Sequence, residues 1–576
     1  MSPDHGQPRH PRRPHRRQDL QRDPRDLTAP ADLTAPADPP DFMDPTDLTA
    51  PAHTDRGTPA DDDGGHGTRG LPRRAFLGVC AGVVGLGATA ACDSPASRRT
   101  PPAADRHRPE AERDRAGSGD WRITSAGPPD AVAGYTDRVS VVPGEECGLH
   151  VSTTAASFRV SAFRVGWYGG TYARLVWRSA PVRGHTRPPG RLLPATRTVR
   201  AQWPRTLTVG TDGWPEGAYL LRLDADNGHQ RYLPLIVRSA HGAGRTVLLH
   251  APATWQAYNR WGGYSLYDGA SGAYATRSLA VSFDRPYDKD GAEKFLTYEW
   301  AAVVLAERLG LPLAYTTGTD LHRDPGVLRG ATALICLGHD EYWTPEQRRH
   351  VTAARDAGTN VAFLGANTCF RRVRLEAGEA DEGRTVVCYK SSFRDDPCYP
   401  SRPDQVTTDF RQAPAADPES SLTGVLYEGY PVDAPYVVQA ADHWLHEGTG
   451  VRAGASFAHL VGVEYDRVTP GAPVPAPPEI TAHSPLVHAR ARSHSDSAYY
   501  TVPSGAGVFA TGTMRWVEAL MAGTGELGRD HGMDARTRAF VTRTTENLLR
   551  AFAEGPAARH RPAPRPNVHR LYGTTA

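Results

Sequence analysis

The sequence predicts an α/β protein with a doubly wound, mostly parallel sheet, preceded by an all-β sandwich. The first observation is a series of short apolar runs, TVLLHAP, PLAYTT, ATALICLG and NVAFLG, separated by segments whose apolar residues recur at helical spacing. Buried strands that alternate with helices are typical of a parallel sheet. The second observation is that residues 126–240 contain strand-like runs and turn signals without a helical period, which indicates a sandwich.

Two domains follow from this pattern. Residues 126–240 form the predicted β-sandwich, in which Asn227 and Gly228 separate two apolar-rich runs. This pair favours a hairpin with a type I′ turn. Residues 241–557 form the predicted α/β domain, and residues 558–576 form a C-terminal tail. The length of 576 residues is sufficient for two or three domains.

Helix signals are clear at two places in the second domain. The segment GAEKFLTYEWAAVVLAERLG has apolar residues at helical spacing and predicts one amphipathic helix that ends at Gly310. Thr344 predicts a helix N-cap, with Pro345 at the first helical position and Gln347 three residues after the cap. This second helix is expected to end near Gly358.

The N-terminal part of the chain has a different composition. Residues 1–72 are rich in Pro, Asp, Thr, Ala and Arg, and the hexapeptide DLTAPA recurs there. Such a segment buries too little apolar area to offset its chain entropy, so disorder is expected. Residues 93–125 have the composition of a linker.

Residues 73–92 separate these two polar segments. Arg73 and Arg74 precede an uncharged apolar run that ends at Cys92. This segment resembles a twin-arginine export signal followed by a lipobox, which implies lipidation of Cys92. The alternative is a stray apolar helix or a short membrane anchor, although the run is shorter than the ~20 residues that a spanning helix needs. The export interpretation predicts a protein held on the outer face of the cell membrane, or released outside the cell.

The overall charge is nearly balanced. The chain has 66 basic and 64 acidic residues, a formal net charge of +2, so its totals do not suggest a nucleic-acid partner. Five cysteines follow the predicted signal, and an odd number outside the cytoplasm implies at least one free thiol. Cys388 and Cys398 are close enough in sequence to pair, whereas Cys336 lies in an apolar strand and is expected to be inert.

Polar side chains follow three of the predicted parallel strands. Tyr258 and Tyr264 follow the first, His339 and Glu341 follow the segment ALICLG, and Asn367 follows NVAFLG. Ligands of open parallel sheets bind beyond the carboxyl ends of the strands, so these groups are expected to converge at one site. Taken singly, each has a structural interpretation as a packed aromatic, an ion pair or a turn residue. Their joint placement favours a catalytic or metal site.

Several motifs carry a resemblance to a known family. TWQAYNRWGGYSLY, GHDEYW, FLGANTCFRRVR, DHWLHEGTG, VGVEYD and SGAGVFATGTMRW resemble the N,N-dimethylformamidase large subunit, over residues 126–555. The resemblance implies a catalytic domain like class I glutamine amidotransferases. It also implies a mononuclear ferric ion on two tyrosinates and one glutamate, with a His, an Asn and a second Glu assisting amide hydrolysis.

The family's functional residues can be carried over by motif. The implied metal ligands are Tyr258, Tyr298 and Glu341, and the implied catalytic residues are His339, Asn367 and Glu464. Tyr298 is assigned by its separation from Tyr258, and a core role for it is the alternative. Tyr264, Tyr267 and Tyr342 remain substitutes as ligands.

The leading hypothesis is metal-assisted hydrolysis of a linear amide C–N bond in a small molecule. Phenolate and carboxylate are hard oxygen donors that suit Fe(III). The alternative is a non-catalytic, lipid-anchored envelope protein that binds a glycan or another protein. A thiol-dependent hydrolase using Cys369 ranks third, because no Cys or Ser stands directly at a strand end. The sequence allows a homo-oligomer, and the family's small subunit is not visible in this chain.

Overall fold

The computed structural model describes residues 111–377, 383–399, 401–526 and 530–573. The predicted disordered tail and the predicted export signal, with Arg73, Arg74 and Cys92, lie outside the described residues. Across the described ranges, no helix is both long and apolar enough to span a bilayer.

The first part of the described chain is built only from strands and short turns. Its strands are β1 (Val132–Thr136), β2 (Ser140–Val141), β3 (Glu146–Thr153), β4 (Ser157–Val165), β5 (Ala173–Arg178), β6 (Val182–Arg183), β7 (Arg191–Leu193), β8 (Thr198–Arg200), β9 (Leu207–Gly210), β10 (Gly217–Ala225) and β11 (Gln230–Val237). A three-stranded sheet, β1-β3-β9, faces a six-stranded sheet, β2-β11-β10-β4-β5, in which β6 also pairs with β4. One apolar cluster fills the space between them, with Val132, Leu149, Val160 and Leu221 among its members.

The predicted hairpin forms, but with a different turn. Strands β10 and β11 pair antiparallel, and the backbone N–H of Ala225 donates to the carbonyl of His229. Only Gly228 in this loop has a positive φ, of 86°, whereas a type I′ turn needs two such residues. The type I′ prediction was therefore wrong, since the longer loop places only one residue in the left-handed region.

The second part mixes strands and helices. Up to residue 363 its elements are β12 (Thr246–His250), α1 (Pro252–Tyr258), β13 (Ala280–Ser282), α2 (Glu293–Tyr298), α3 (Trp300–Leu309), β14 (Leu313–Thr317), α4 (Gly318–Arg323), β15 (Ala333–Cys336), β16 (Tyr342–Trp343), α5 (Pro345–Asp356) and β17 (Asn360–Phe363). Beyond it lie β18 (Arg371–Arg372), β19 (Arg374–Glu376), β20 (Thr385–Val387), α6 (Ser420–Thr423), β21 (Leu426–Val437), β22 (Ser456–Arg467), β23 (Glu479–His488), β24 (Ala491–Thr501), β25 (Gly507–Ala510), α7 (Trp516–Ala519), α8 (Ala535–Ala553) and α9 (Val568–Tyr572).

The largest sheet is mixed. Its order is β14-β12-β15-β17-β25-β24-β23. The first five strands are parallel to one another, whereas β24 pairs antiparallel with β25 and β23 pairs antiparallel with β24. Strand residues also outnumber helical residues in the described chain. The prediction of a doubly wound α/β fold was wrong, because the structure is mostly β and its sheets are mixed.

The physical reason lies after residue 363. Strand–helix alternation holds from β12 to β17, but the following chain forms long antiparallel hairpins, β21–β22 and β23–β24. The remaining small sheets are β13-β20-β19, the parallel pair β16-β18, and β7-β8. Apolar runs such as AYYTV are equally compatible with parallel and antiparallel pairing, so the sequence pattern did not separate the two.

Helix α5 confirms the predicted N-cap at Thr344, whereas the predicted helix that ends at Gly310 differs from the structure. The hydroxyl of Thr344 accepts from the backbone N–H of Gln347, with Pro345 at the first helical position. The single predicted helix that ends at Gly310 is instead two helices, α2 and α3, that break at Glu299. Glu299 leaves helical geometry because its carboxylate turns back to bind groups on β12 and α1.

The two parts share a core. Phe163, Leu220 and Ile236, on the other face of the six-stranded sheet, belong to one apolar cluster with Trp300 of α3 and Leu248 of β12. The segment before β1, predicted as linker, contributes Trp121, whose ring lies 6.0 Å from that of Trp300. The six-stranded sheet is therefore buried on both faces.

The cysteines of the described chain are all buried and free. They are Cys147, Cys336, Cys369, Cys388 and Cys398. Cys388 and Cys398 belong to different apolar clusters, so the pairing that their spacing allowed is not made. Burial raises the pKa of the Cys369 thiol to about 12, which leaves almost no thiolate near neutral pH.

Candidate active site

The site lies at the carboxyl ends of three neighbouring parallel strands, β12, β15 and β17. Tyr258 is the last residue of α1, which follows β12, and His339 and Glu341 follow β15. Asn367 follows β17. The structure thus brings together the polar groups that follow these strand ends, which are held in a buried region.

Two glycines allow the strand ends to approach this closely. A Cβ on Gly338, directly before His339, would lie 2.1 Å from the carbonyl oxygen of Tyr298. A Cβ on Gly365 would lie 2.4 Å from the carbonyl oxygen of Gly338. Both distances are far below a van der Waals contact, so only glycine fits at these two positions.

Glu341 is the centre of the site, with a side chain that is 1 % exposed. The Tyr258 hydroxyl lies 2.7 Å and the Tyr267 hydroxyl 2.8 Å from its Oε2, and these two hydroxyls are 2.8 Å apart. The Tyr342 hydroxyl donates to Tyr267 at 2.7 Å, and Arg371 Nε donates to Glu341 Oε1 at 3.2 Å. Burial raises the pKa of Glu341 to about 7, and the positive charge of nearby Lys390 partly offsets this rise.

The imidazole of His339 lies beside this cluster. Its Nε2 is 3.0 Å from the Tyr258 hydroxyl and 3.6 Å from Glu341 Oε2. Burial, with help from the positive charge of Lys294, lowers the pKa of His339 to about 3. The imidazole is therefore neutral at neutral pH.

Tyr298 lies on the other side of His339, with their ring centroids 5.4 Å apart. Its side chain packs in a small apolar cluster with Ala366 and Met514. The second phenol that is hydrogen-bonded to Glu341 is Tyr267, one of the three substitutes. Tyr264 follows a turn after α1, where its carbonyl accepts from Arg285 at 2.8 Å.

Asn367 and Glu464 provide further polar groups. Asn367 has a φ of 59°, and its backbone N–H donates to Asp466 Oδ1 at 2.8 Å. Glu464 and Asp466 are two residues apart on β22 and are both buried. Burial and the charge of Glu341 raise the pKa of Glu464, and the Asn367 amide opposes this shift. Among the described residues, Glu464 Oε2 and Asn367 Oδ1 are buried without a hydrogen-bond partner.

Three residues near the site were missed from the sequence. Lys390 is fully buried, and its Nζ lies 3.3 Å from the ring centroid of Tyr267. Arg371 bonds Glu341, and Tyr427 on β21 has its pKa raised by burial and by the charges of Glu464 and Glu341. Arg371 lies in FLGANTCFRRVR, one of the motifs that carried the resemblance, and Lys390 ends the segment VVCYK. A buried lysine among phenols is a signal that sequence reasoning can use.

The donor set fits a hard metal ion. In the part of the chain that the structure describes, no group of three or more His, Cys, Asp or Glu side chains is arranged to hold a metal. At this site two phenols converge on the Glu341 carboxylate. Phenolate and carboxylate oxygens are the donors that Fe(III) prefers.

The site gathers an imidazole, carboxyl groups and phenols in a buried region at strand ends, an arrangement that is typical of candidate active sites. The chain belongs to the family of N,N-dimethylformamidase beta subunit-like proteins, whose C-terminal family model matches residues 159–531, well over half of its length. That match begins within β4 and includes every site residue described above. Membership supports a dimethylformamidase-like role, which at the coarse level is that of an amidase. No curated protein matches the chain.

Two solved structures show weak similarity. Cwp6 from Clostridium difficile has 12 % sequence identity and a TM-score of 0.13, and the match covers 41 % of this chain and 37 % of that chain. A cycloisomaltooligosaccharide glucanotransferase from Paenibacillus sp., complexed with cycloisomaltoheptaose, has 9 % identity and a TM-score of 0.16, covering 73 % of this chain and 80 % of that chain. Scores this low support no argument about fold or function.

Proposed function

We propose that the protein is a mononuclear iron-dependent hydrolase of a linear amide C–N bond in a small molecule. The observation that carries the proposal is the convergence of the Tyr258 and Tyr267 hydroxyls on the buried Glu341 carboxylate, with neutral His339 beside them. Burial raises the pKa of both phenols, so that loss of their protons is unfavourable without a cation. A ferric ion would offset that cost.

The residues that would hold the ion are Tyr258 and Glu341, with Tyr267 or Tyr298 as the second phenolate. When bound, Fe(III) would supply a Lewis acid for the amide carbonyl and for the attacking water. Arg371 limits the negative charge of the cluster because it bonds Glu341 directly. Lys390 packs on Tyr267, and burial lowers the pKa of its ammonium group.

Proton transfer falls to His339 and Glu464. His339 is neutral and would accept a proton from the attacking water. The resulting imidazolium would then donate that proton to the leaving amine. Glu464 is the second candidate for this role, because burial and the charge of Glu341 raise its pKa and favour its protonated form, which can donate a proton. The Asn367 side-chain amide would donate to the oxyanion that develops on the carbonyl.

The test is the metal content and visible spectrum of the full chain, purified without chelator. About one iron per chain with a tyrosinate-to-iron charge-transfer band is expected for the wild type. Glu341→Gln should lose the iron and the band, while the matched control Glu479→Gln, at another buried carboxylate on β23, should keep both. Stoichiometric iron in Glu341→Gln would contradict the assignment. A protein that stays colourless and metal-free after reconstitution would favour the non-catalytic envelope-binding alternative.

We also propose export through Arg73 and Arg74, with lipid anchoring at Cys92 on the outer face of the membrane. The support is the sequence pattern of residues 73–92. Metabolic labelling with a radioactive fatty acid tests it directly: label should enter the wild type and be absent from Cys92→Ala. Equal labelling of both would refute the lipid anchor.

A further inference from the structure

A wide cleft lies where the first part of the described chain meets the second. Its cavity volume is about 740 Å³, and small-molecule sites commonly have about 300 to 1,000 Å³ and occur at such junctions. One side is formed by residues on and after β1, including Arg138, and by the segment that follows β8. The other side is formed by Asp284 and Arg384 of the second part. None of the residues placed in the candidate active site lines this cleft, so it is a separate feature of the molecule.

The inner wall of the cleft is held by bonds that cross this junction. Arg384 Nε binds Asp284 Oδ1 at 2.6 Å, and Arg384 Nη2 donates to the carbonyl of Thr136 at 2.9 Å. The backbone N–H of Ala201 donates to the carbonyl of Asp284 at 2.7 Å. The Arg384 side chain is only 6 % exposed, so this wall belongs to the packed interior. These bonds position the lining in advance, and binding of a ligand would therefore require little ordering.

The lining of the cleft carries more positive than negative charge. Its charged side chains are two carboxylates and four guanidinium groups, which belong to Asp137, Asp284, Arg138, Arg200, Arg205 and Arg384. Asp137 Oδ2 binds Arg205 Nη2 at 2.7 Å, and Asp284 is bound by Arg384, so each carboxylate is already paired with one of the arginines. Two positive charges therefore remain in excess, on Arg138 and Arg200.

The contacts of these two arginines do not neutralise them. Arg200 Nη2 donates to the neutral hydroxyl of Thr385 at 2.6 Å, and no carboxylate of the described chain forms an ion pair with it. Arg138 Nη1 is 3.9 Å from Glu145 Oε2, and the two side chains are 53 % and 38 % exposed, so this contact is weak. A guanidinium offers a planar fork of donors that binds carboxylate or phosphate oxygens through two bonds at once. The charge of the cleft therefore favours a ligand with two oxyanion groups.

We propose that this cleft binds a small organic polyanion, with two or more carboxylate or phosphate groups, through Arg138 and Arg200. The volume of the cleft suits a molecule larger than a single inorganic ion, and the surplus of two charges matches two anionic groups. The cleft is separate from the candidate active site, so the inference does not depend on the proposed hydrolase. The alternative is that the arginines are only solvated, in which case they would bind no anion in a saturable manner.

The test is calorimetric titration of the full chain with tricarballylate, which carries three carboxylates, and with pyrophosphate, which carries two phosphate groups. The neutral triamide of tricarballylate has a similar shape and serves as the control ligand. At least one of the two polyanions should bind saturably with a Kd below about 1 mM, and its binding should weaken as salt is added. Tighter binding of tricarballylate would assign carboxylates as the groups recognised, and tighter binding of pyrophosphate would assign phosphates.

Variants place the binding in this cleft. Arg138→Gln and Arg200→Gln should each weaken it by about 10- to 100-fold, whereas Arg452→Gln, at an exposed arginine outside the cleft, should leave it unchanged. Glu341→Gln should bind like the wild type, which separates the cleft from the candidate active site. The Arg138 side chain is more than half exposed, so its variant tests the proposal even where Arg200→Gln fails to fold.

Three results would overturn the proposal. They are the absence of saturable binding of both polyanions, equally tight binding of the neutral triamide, and a Kd that is unchanged in Arg138→Gln. Loss of binding in Glu341→Gln would also overturn it, because the anion would then occupy the candidate active site. The proposed hydrolase would stand after any of the first three results, since none of them concerns the residues of its site.

Discussion

Glu299 provides a stability prediction that can be worked from its contacts. Its carboxylate is buried between α2 and α3 and binds His250 Nδ1 at 2.6 Å, Trp255 Nε1 at 2.7 Å and the backbone N–H of Ala251 at 3.2 Å. Glu299→Ala would leave three buried donors without an acceptor, at a cost of about 1–3 kcal/mol each. The better helix propensity of Ala offsets about 0.5 kcal/mol at the break between the helices.

The expected loss in the free energy of unfolding is therefore about 3–8 kcal/mol for Glu299→Ala. Glu299→Gln keeps an acceptor for Trp255 and Ala251 and should lose only about 1–2 kcal/mol. The exposed Glu376→Ala serves as the matched control, with an expected change within about 0.5 kcal/mol. The assay is equilibrium unfolding in guanidinium chloride, followed through the first cooperative transition. A loss below about 1 kcal/mol for Glu299→Ala would refute the assignment of Glu299 as the acceptor that holds α1 in place.

Three further predictions concern the site and the core. Asn367→Gly removes the side-chain amide, and glycine tolerates the φ of 59° at this position. We expect kcat to fall by about 100-fold or more while the free energy of unfolding stays unchanged. An unchanged kcat would exclude the oxyanion role. Burial raises the pKa of Asp466 to about 7 in the folded state, above its unfolded value, so its contribution to stability is complete below about pH 4 and is lost as pH rises to about 7. Thermal melting of wild type and Asp466→Asn between these pH values should show this loss only in the wild type, and parallel profiles would contradict it. The five described thiols should resist a thiol reagent in the native protein and react after unfolding, and rapid native labelling of Cys369 would revive a thiol mechanism.

The parallel strands could be predicted because their apolar runs are short, buried and bounded by turn residues. The same reasoning placed His339, Glu341 and Asn367 at strand ends, since the order of elements alone fixes where each loop begins. The overall fold class could not be predicted, because pairing direction in β23 and β24 depends on contacts between distant residues. The pattern of apolar residues along the chain does not indicate whether two strands pair parallel or antiparallel.

The assignment of Tyr298 as the second metal ligand stays a prediction, although the second phenol that contacts Glu341 in the structure is Tyr267. Tyr298 was preferred from its separation along the chain, but helix α2 ends there and places its ring beside His339. Tyr267 reaches Glu341 because it lies in the irregular segment after α1, whose path has no periodic signal. Lys390 was missed because a lysine in a sequence is expected at the surface, and only the folded structure shows its burial.

The double burial of the six-stranded sheet limits how this protein can be divided. A fragment that starts at residue 241 would uncover the face of α3 that packs against Phe163, Leu220 and Ile236. It would also leave the Glu307 carboxylate without Arg164, which binds it at 2.5 Å from the upstream six-stranded sheet. The upstream strands therefore cover part of the hydrophobic core of the rest of the chain. An expression fragment that omits them should be insoluble, and a homologous sandwich could replace them only if it reproduced this inner face.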